Sequence, residues 1–243
     1  MTTAPELGAL LALQDLDTHI DQERHRRAHL PERAELADLQ RSAAETEAER
    51  AGMAAELDAV TSRQAAAERE LKATEDRMKL VNNRLYGGTV TASRELQAMA
   101  ADVEGLRKRA SELEDKVLAL MEEREPLDAA VAEFDKALAD LSERQSSVGE
   151  RLARAESEVG TVLADLVAQR PGVVGAVAAP LLANYDRLRV KLGGVAVARL
   201  TGGRCDGCHL SLPAMELDRI RHQPPGSLEY CEQCGRILVI TNP

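Results

Sequence analysis

The chain of 243 residues has one Phe, three Tyr and no Trp, and 30% of its residues are Asp, Glu, Lys or Arg. So small a supply of large rings argues against one big globular core, and the abundance of Ala, Leu, Glu and Arg fits long helices or a coiled coil. Net charge is −10, divided as −12 over residues 1–170 and +2 over residues 171–243. No general basic field therefore draws the chain onto nucleic acid, and any such binding must come from a local patch.

The opening stretch from Met1 to Asp17 carries acids within its apolar run and no basic lead, which argues against a secretory signal. No apolar run approaches the length of a membrane span. All four cysteines fall in two C-x-x-C pairs, the usage expected of a metal site in a reducing cytoplasm. A cytoplasmic location is the expectation.

Counting by sevens from Leu36 to Leu85 gives one ladder of a positions, with d positions from Leu39 to Val81. A second ladder runs from Leu96 to Leu166, with d positions from Met99 to Val162. A 3.5-residue repeat sustained this long predicts a coiled coil. Between the ladders lies Tyr86-Gly87-Gly88-Thr89-Val90-Thr91, where paired glycines end helical preference. A short connection makes two helices antiparallel neighbours. Residues 1–170 are thus expected to form an antiparallel coiled-coil hairpin with its tip at about 86–92, the rival being one rod that dimerises through both ladders. With the turn centred near residue 89, facing positions should sum to about 178, setting Pro126 opposite Gly52. Arg50 and Arg124 occupy a positions and are expected to be buried in a looser layer.

From Arg77 to Arg94 the chain holds Arg77, Lys79, Arg84 and Arg94 and no acid. Together with Tyr86 these residues form a candidate contact point for an acidic protein or a phosphate backbone. The plainer alternative is a solvated turn with Tyr86 packed across the bend.

Residues 171–243 read as a linker helix and a zinc-ribbon domain. Cys205-Asp206-Gly207-Cys208 and Cys231-Glu232-Gln233-Cys234 each set two thiolates on a tight turn. Four such sulfurs suit one structural Zn²⁺ and leave no open position on it. The 22 residues between the pairs leave room for an inserted helix, read over Ala214–Arg221 after Leu212-Pro213. Val195–Leu200 and Ile237–Ile240 read as strands. Two pairs without a βαβ context disfavour a thioredoxin-like redox motif, and His209 and His222 are the histidines that could displace a cysteine. Spacing alone does not separate zinc from a rubredoxin-type iron centre.

Several segments resemble a bacterial family built from a long coiled-coil hairpin followed by a C-terminal four-cysteine zinc ribbon. They are Leu10-Leu11-Ala12-Leu13-Gln14-Asp15-Leu16-Asp17 near the start and Leu85-Tyr86-Gly87-Gly88-Thr89-Val90-Thr91 with Glu95-Leu96-Gln97 at the turn. In the tail they are Tyr185-Asp186-Arg187-Leu188-Arg189, Gly193-Gly194-Val195-Ala196-Val197-Ala198, Cys205-Asp206-Gly207-Cys208-His209 and Cys234-Gly235-Arg236-Ile237-Leu238. One departure is Ala92-Ser93, where relatives often show Asn-Pro; capping of the second helix is then expected to pass to Thr91. The resemblance implies an adaptor with nucleic-acid or protein partners and no shared reaction.

The expected function is a non-enzymatic zinc-binding adaptor that binds RNA or DNA and is linked to transcription. Arg204, Arg219, Arg221 and Arg236 are the candidate contacts on the ribbon, and Lys79, Arg84, Tyr86 and Arg94 those at the tip. The alternative is a protein-binding coiled-coil scaffold or chaperone-like adaptor without nucleic-acid binding. Neither reading involves a membrane or a small-molecule substrate, and the chain is expected to be a monomer or weak dimer.

Overall fold

The computed structural model describes residues 3–224 and 226–240. In chain order the elements are α1 (Ala4–Ala28), α2 (Pro31–Tyr86), α3 (Ser93–Val174), α4 (Ala179–Lys191), β1 (Val197–Thr201), β2 (Arg204–Cys205), α5 (Ala214–Arg221), β3 (Glu229–Tyr230) and β4 (Ile237–Ile240). By packing, the chain forms two compact units, Glu35–Val148 and a second made of Met1–Ala34 with Gly149–Pro243. The heptad ladders pointed to a division at residue 170 instead. The structure draws the first 34 residues into the tail's unit, because α1 packs on the tail's sheet.

Glu35–Val148 is an antiparallel hairpin of α2 and α3. Its buried side chains on α2 are Leu39, Val60, Gln64 and Ala67, and on α3 Val103, Ala110, Leu113, Leu120 and Val148. Each falls on an a or d position of the two ladders, as a coiled-coil seam requires. The register differs from the expected one. Gln145 donates from its amide to the Leu39 carbonyl at 3.1 Å, and Val60, Ala67 and Leu120 share a cluster edged by Val117 and Leu127. That register sets Asp58, not Gly52, level with Pro126. Nor are Arg50 and Arg124 buried: their side chains are 33% and 41% exposed. Arg50 bonds Asp135 at 2.5 Å and Arg124 bonds Asp128 at 3.0 Å. Long guanidinium stems can line a seam while the charged heads reach solvent.

At the turn, Gly88 has φ +70, and a Cβ on Gly87 would come within 2.6 Å of the Asn83 carbonyl oxygen. Both positions therefore need glycine. Ala92, rather than Thr91, precedes the first turn of α3, its carbonyl accepting from the N–H groups of Glu95 and Leu96. At the other end, α2 starts at Pro31. Its missing N–H costs nothing in a first turn, and it disfavours helical backbone at the residue before it.

The second unit is built on a four-stranded sheet in the order β2-β1-β4-β3, with α1 and α4 on one face and the cysteines and α5 on the other. β1 and β4 run parallel, Val197 paired with Ile237 and Leu200 with Ile240. Strand alternation then sorts the side chains. Val197, Ile237 and Val239 join Leu7, Leu10 and Leu13 of α1 and Leu181, Tyr185 and Leu188 of α4. Ala198, Leu200 and Leu238 join Cys205, Cys231, Leu212 and Ile220. α1 begins in a capping box in which Thr3 N–H donates to the Glu6 carboxylate at 2.7 Å.

Candidate metal centre

Two knuckles with one backbone scheme build the site. The Cys205 carbonyl accepts from His209 N–H at 2.7 Å, and Cys205 N–H donates to the Leu210 carbonyl at 3.0 Å. The Cys231 carbonyl accepts from Gly235 N–H at 2.7 Å, and Cys231 N–H donates to the Arg236 carbonyl at 2.8 Å. The residue after the second cysteine of each pair is left-handed: His209 at φ 60 and Gly235 at φ 73. Gly207 sits close against the other knuckle, since a Cβ there would meet Arg236 Cδ at 2.5 Å and Ala198 Cβ at 3.0 Å.

The four Sγ atoms all lie within 4.8 Å of one another. Cys205 is 3.9 Å from Cys234, and Cys208 is 3.9 Å from Cys231. Four sulfurs bound at 2.3 Å in a tetrahedron stand about 3.8 Å apart, so the cluster fits one zinc ion. Cys205 and Cys231 are buried and the other two half-buried. Desolvation pushes the Cys205 thiol up and the Cys231 thiol up to about 12. Burial opposes ionisation of Cys234 as well, yet hydrogen bonds from the backbone and side chain of Arg236, and from Cys231 and Cys208, bring it down to about 7. Metal binding displaces the protons that remain. Zinc held by four thiolates supplies structural bonds without redox chemistry. Neither His209 nor His222 belongs to the cluster among the described residues; His222 instead sets Nδ1 2.8 Å from the Asp218 carbonyl.

The ribbon arginines divide. Arg219 bonds Glu229 at 2.8 Å, and Arg236 Nε donates to the Val195 carbonyl at 3.0 Å. Arg204 and Arg221 are exposed; Arg221 edges a cavity of about 590 Å³ bounded also by Leu7, Ile220 and Ile240. At the hairpin tip, Lys79, Arg84, Tyr86 and Arg94 are all exposed. Tyr86 does not pack across the bend, retaining 80% of its surface. Arg77 pairs with Asp102 at 3.5 Å, so one of the four basic residues is answered by an acid beyond the turn.

Sequence reasoning missed a polar network beside the sheet. Asp17, 1% exposed, accepts from Arg170 at 2.8 and 3.1 Å and from the Tyr185 hydroxyl at 2.9 Å. Arg189 Nε lies 3.8 Å from the same carboxylate, and its other nitrogen reaches Asp21. Gln14 accepts at its side-chain oxygen from Ala196 N–H at 2.7 Å and Val197 N–H at 3.2 Å, and donates to the Gly194 carbonyl at 3.0 Å. Asp15 bonds Arg199 of β1 at 3.1 Å. A signal was present for part of it: Gln14, Asp15, Asp17, Tyr185, Arg189, Gly194, Ala196 and Val197 lie in the segments Leu10–Asp17, Tyr185–Arg189 and Gly193–Ala198, whereas Asp21, Arg170 and Arg199 do not.

A CT398-like coiled coil hairpin domain matches residues 13–193, and a C4-type zinc ribbon domain matches residues 204–238. The chain belongs to this hairpin-and-ribbon family. The uncharacterized protein Rv2229c of Mycobacterium tuberculosis is 31% identical over 241 residues, covering 95% of this chain and 94% of that one. Among solved structures, a Mycobacterium smegmatis protein superposes with TM-score 0.90 at 23% identity, over 99% of this chain and 100% of its own. CT398 from Chlamydia trachomatis superposes with TM-score 0.72 at 20% identity, over 97% and 98%. The family places a zinc ribbon where iron had remained open, and the protein is a zinc-binding coiled-coil protein. No helix among the described residues is long and apolar enough to cross a membrane.

Proposed function

We propose that this hairpin-and-ribbon protein is a non-enzymatic adaptor that binds protein partners and uses its zinc to hold a fold rather than to do chemistry. The carrying observation is the closed donor set: four cysteine sulfurs around one point leave no coordination position for a reacting water. The paired ladders satisfy each other within one chain, which supports a monomer or weak dimer.

Nucleic-acid binding with a link to transcription is the second reading, favoured by Arg204 and Arg221. Both are exposed and make no ion pair among the described residues. Against it, Arg219 and Arg236 are tied to Glu229 and Val195. The test is anisotropy of labelled single-stranded RNA and duplex DNA titrated with full-length zinc-loaded protein at 50 and 200 mM salt. No saturable binding at the lower salt is expected. Saturable binding that weakens with salt and disappears in Arg204→Glu/Arg221→Glu would overturn the protein-partner reading, since phosphate contacts release counterions.

A further inference from the structure

The tip of the hairpin combines features that solvated turns lack. On α2, the large apolar side chains that stay exposed are Leu80, at 64%, and Tyr86, at 80%. Both fall in its last seven residues. Helical spacing sets Leu80 beside Arg84, four residues on, and Lys79 beside Tyr86, seven residues on. Asn83 lies between these two pairs. Arg94 follows in the first turn of α3. Elsewhere on the hairpin most arginines are answered across the seam or along a helix, Arg50 by Asp135, Arg63 by Glu123 and Arg109 by Glu70, and cations such as Arg69, Lys72 and Lys108 that are not stand among acids of their own helix. Lys79, Arg84 and Arg94 have no ion pair among the described residues, and no acid lies between Arg77 and Arg94.

Resting on the adaptor reading above, we infer that this tip is a docking surface for an acidic protein segment carrying at least one large apolar side chain. Charge complementarity selects the acid. Leu80 and Tyr86 select the apolar anchor, since tyrosine and arginine are enriched in binding hot spots and Leu80 extends the apolar surface beside them. A polynucleotide would use Tyr86 and the cations but leave Leu80 without a counterpart.

The test uses the full zinc-loaded chain, immobilised, and a displayed library of random twelve-residue peptides. The expected result is enrichment of sequences rich in Asp and Glu with one or two Leu, Ile or Phe. Their affinity should fall at least tenfold in Lys79→Glu/Arg84→Glu/Arg94→Glu, and also in Leu80→Ser/Tyr86→Ser, with circular dichroism unchanged. Peptides that bind both variants as tightly as the parent would overturn the tip assignment while leaving the adaptor reading intact. Enrichment of sequences without acidic bias would overturn it too. So would tip-dependent binding of single-stranded RNA with no peptide enriched, and that outcome would also count against the protein-partner reading.

Discussion

Asp17 shows how one side chain ties three helices together. Burial pushes its carboxyl up, but hydrogen bonds from Arg170 and Tyr185, and then the charges of Arg189 and Arg170, outweigh that and hold it below its usual value of 3.8. A carboxylate lowered by folding stabilises the native state above its unfolded pKa and loses that contribution as pH falls through the folded value. Stability supplied by Asp17 should therefore be fully present above pH 3.8 and drain away below it. Replacing Asp17 with Asn removes the buried carboxylate from Arg170, which is 35% exposed and keeps Asp186 at 3.9 Å, and should cost about 1–3 kcal/mol at neutral pH. Tyr185→Phe should cost about 1–2 kcal/mol. Acid titrations of the parent and the Asn variant, followed by circular dichroism, should converge below pH 3.8; parallel curves would show that Asp17 is not the group being protonated. The two left-handed knuckle residues give a second pair of outcomes. Gly235→Ala should weaken the ribbon by about 1–2 kcal/mol, whereas His209→Gly should be neutral or slightly stabilising, because only the former forces a Cβ into that region. Competition for zinc with a chromophoric chelator reads both, and metal loss in His209→Gly would make His209 a ligand after all. The cysteines were legible in the sequence because ligand spacing is local. The role of Asp17 was not, because its partners lie 153 and 168 positions away, and the segment Leu10–Asp17 marks the residue without showing what it touches.

For the helices, apolar periodicity was enough to find the seam but not its register. Sliding one arm past the other by a heptad leaves every a position facing a d position again, so the pattern alone permits registers seven apart. The turn decides between them, and its asymmetric path from Tyr86 to Ser93 could not be read from glycine content. Polar contacts then hold the register that the turn selects. Gln145 reaches the Leu39 carbonyl. Gln64, 8% exposed at an a position, donates to Glu68 at 2.8 Å and accepts from Arg124 at 3.3 Å. A single polar side chain in a seam commonly fixes alignment at the expense of stability. Gln64→Leu should thus raise the melting temperature of the hairpin, by a stability gain of about 1 kcal/mol, while Arg124 keeps Asp128 as its partner. A lower melting temperature would mean that the Gln64 hydrogen bonds outweigh an apolar contact at this level.

At the scale of the whole molecule, the consequence of removing zinc reaches beyond the ribbon. β1 and β4 present one face to the cysteine cluster and the other to α1 and α4, and both faces depend on the same parallel strand pair. Small zinc modules draw on the order of 10 kcal/mol of folding free energy from their metal, more than so short a sheet can supply. When β1 and β4 separate, Leu7, Leu10 and Leu13 lose the surface that buries them, and Gln14 loses the backbone groups it satisfies. α4, with 13 residues, is too short to persist alone, and α1, with 25 and a largely polar outer face, keeps little beyond marginal helicity without that packing. The Asp17 network then still ties α1, α3 and α4 together. Hydrogen exchange of the full chain, with and without a zinc chelator and in Cys205→Ser/Cys231→Ser, should show protection lost from the strands, from α4 and from residues 4–16 of α1. Residues 35–148 should keep theirs, since their seam is made by α2 and α3 alone. Far-ultraviolet circular dichroism should fall measurably rather than stay flat. Unchanged protection of Leu7–Gln14 after zinc removal would refute the coupling and return the metal's influence to the ribbon alone.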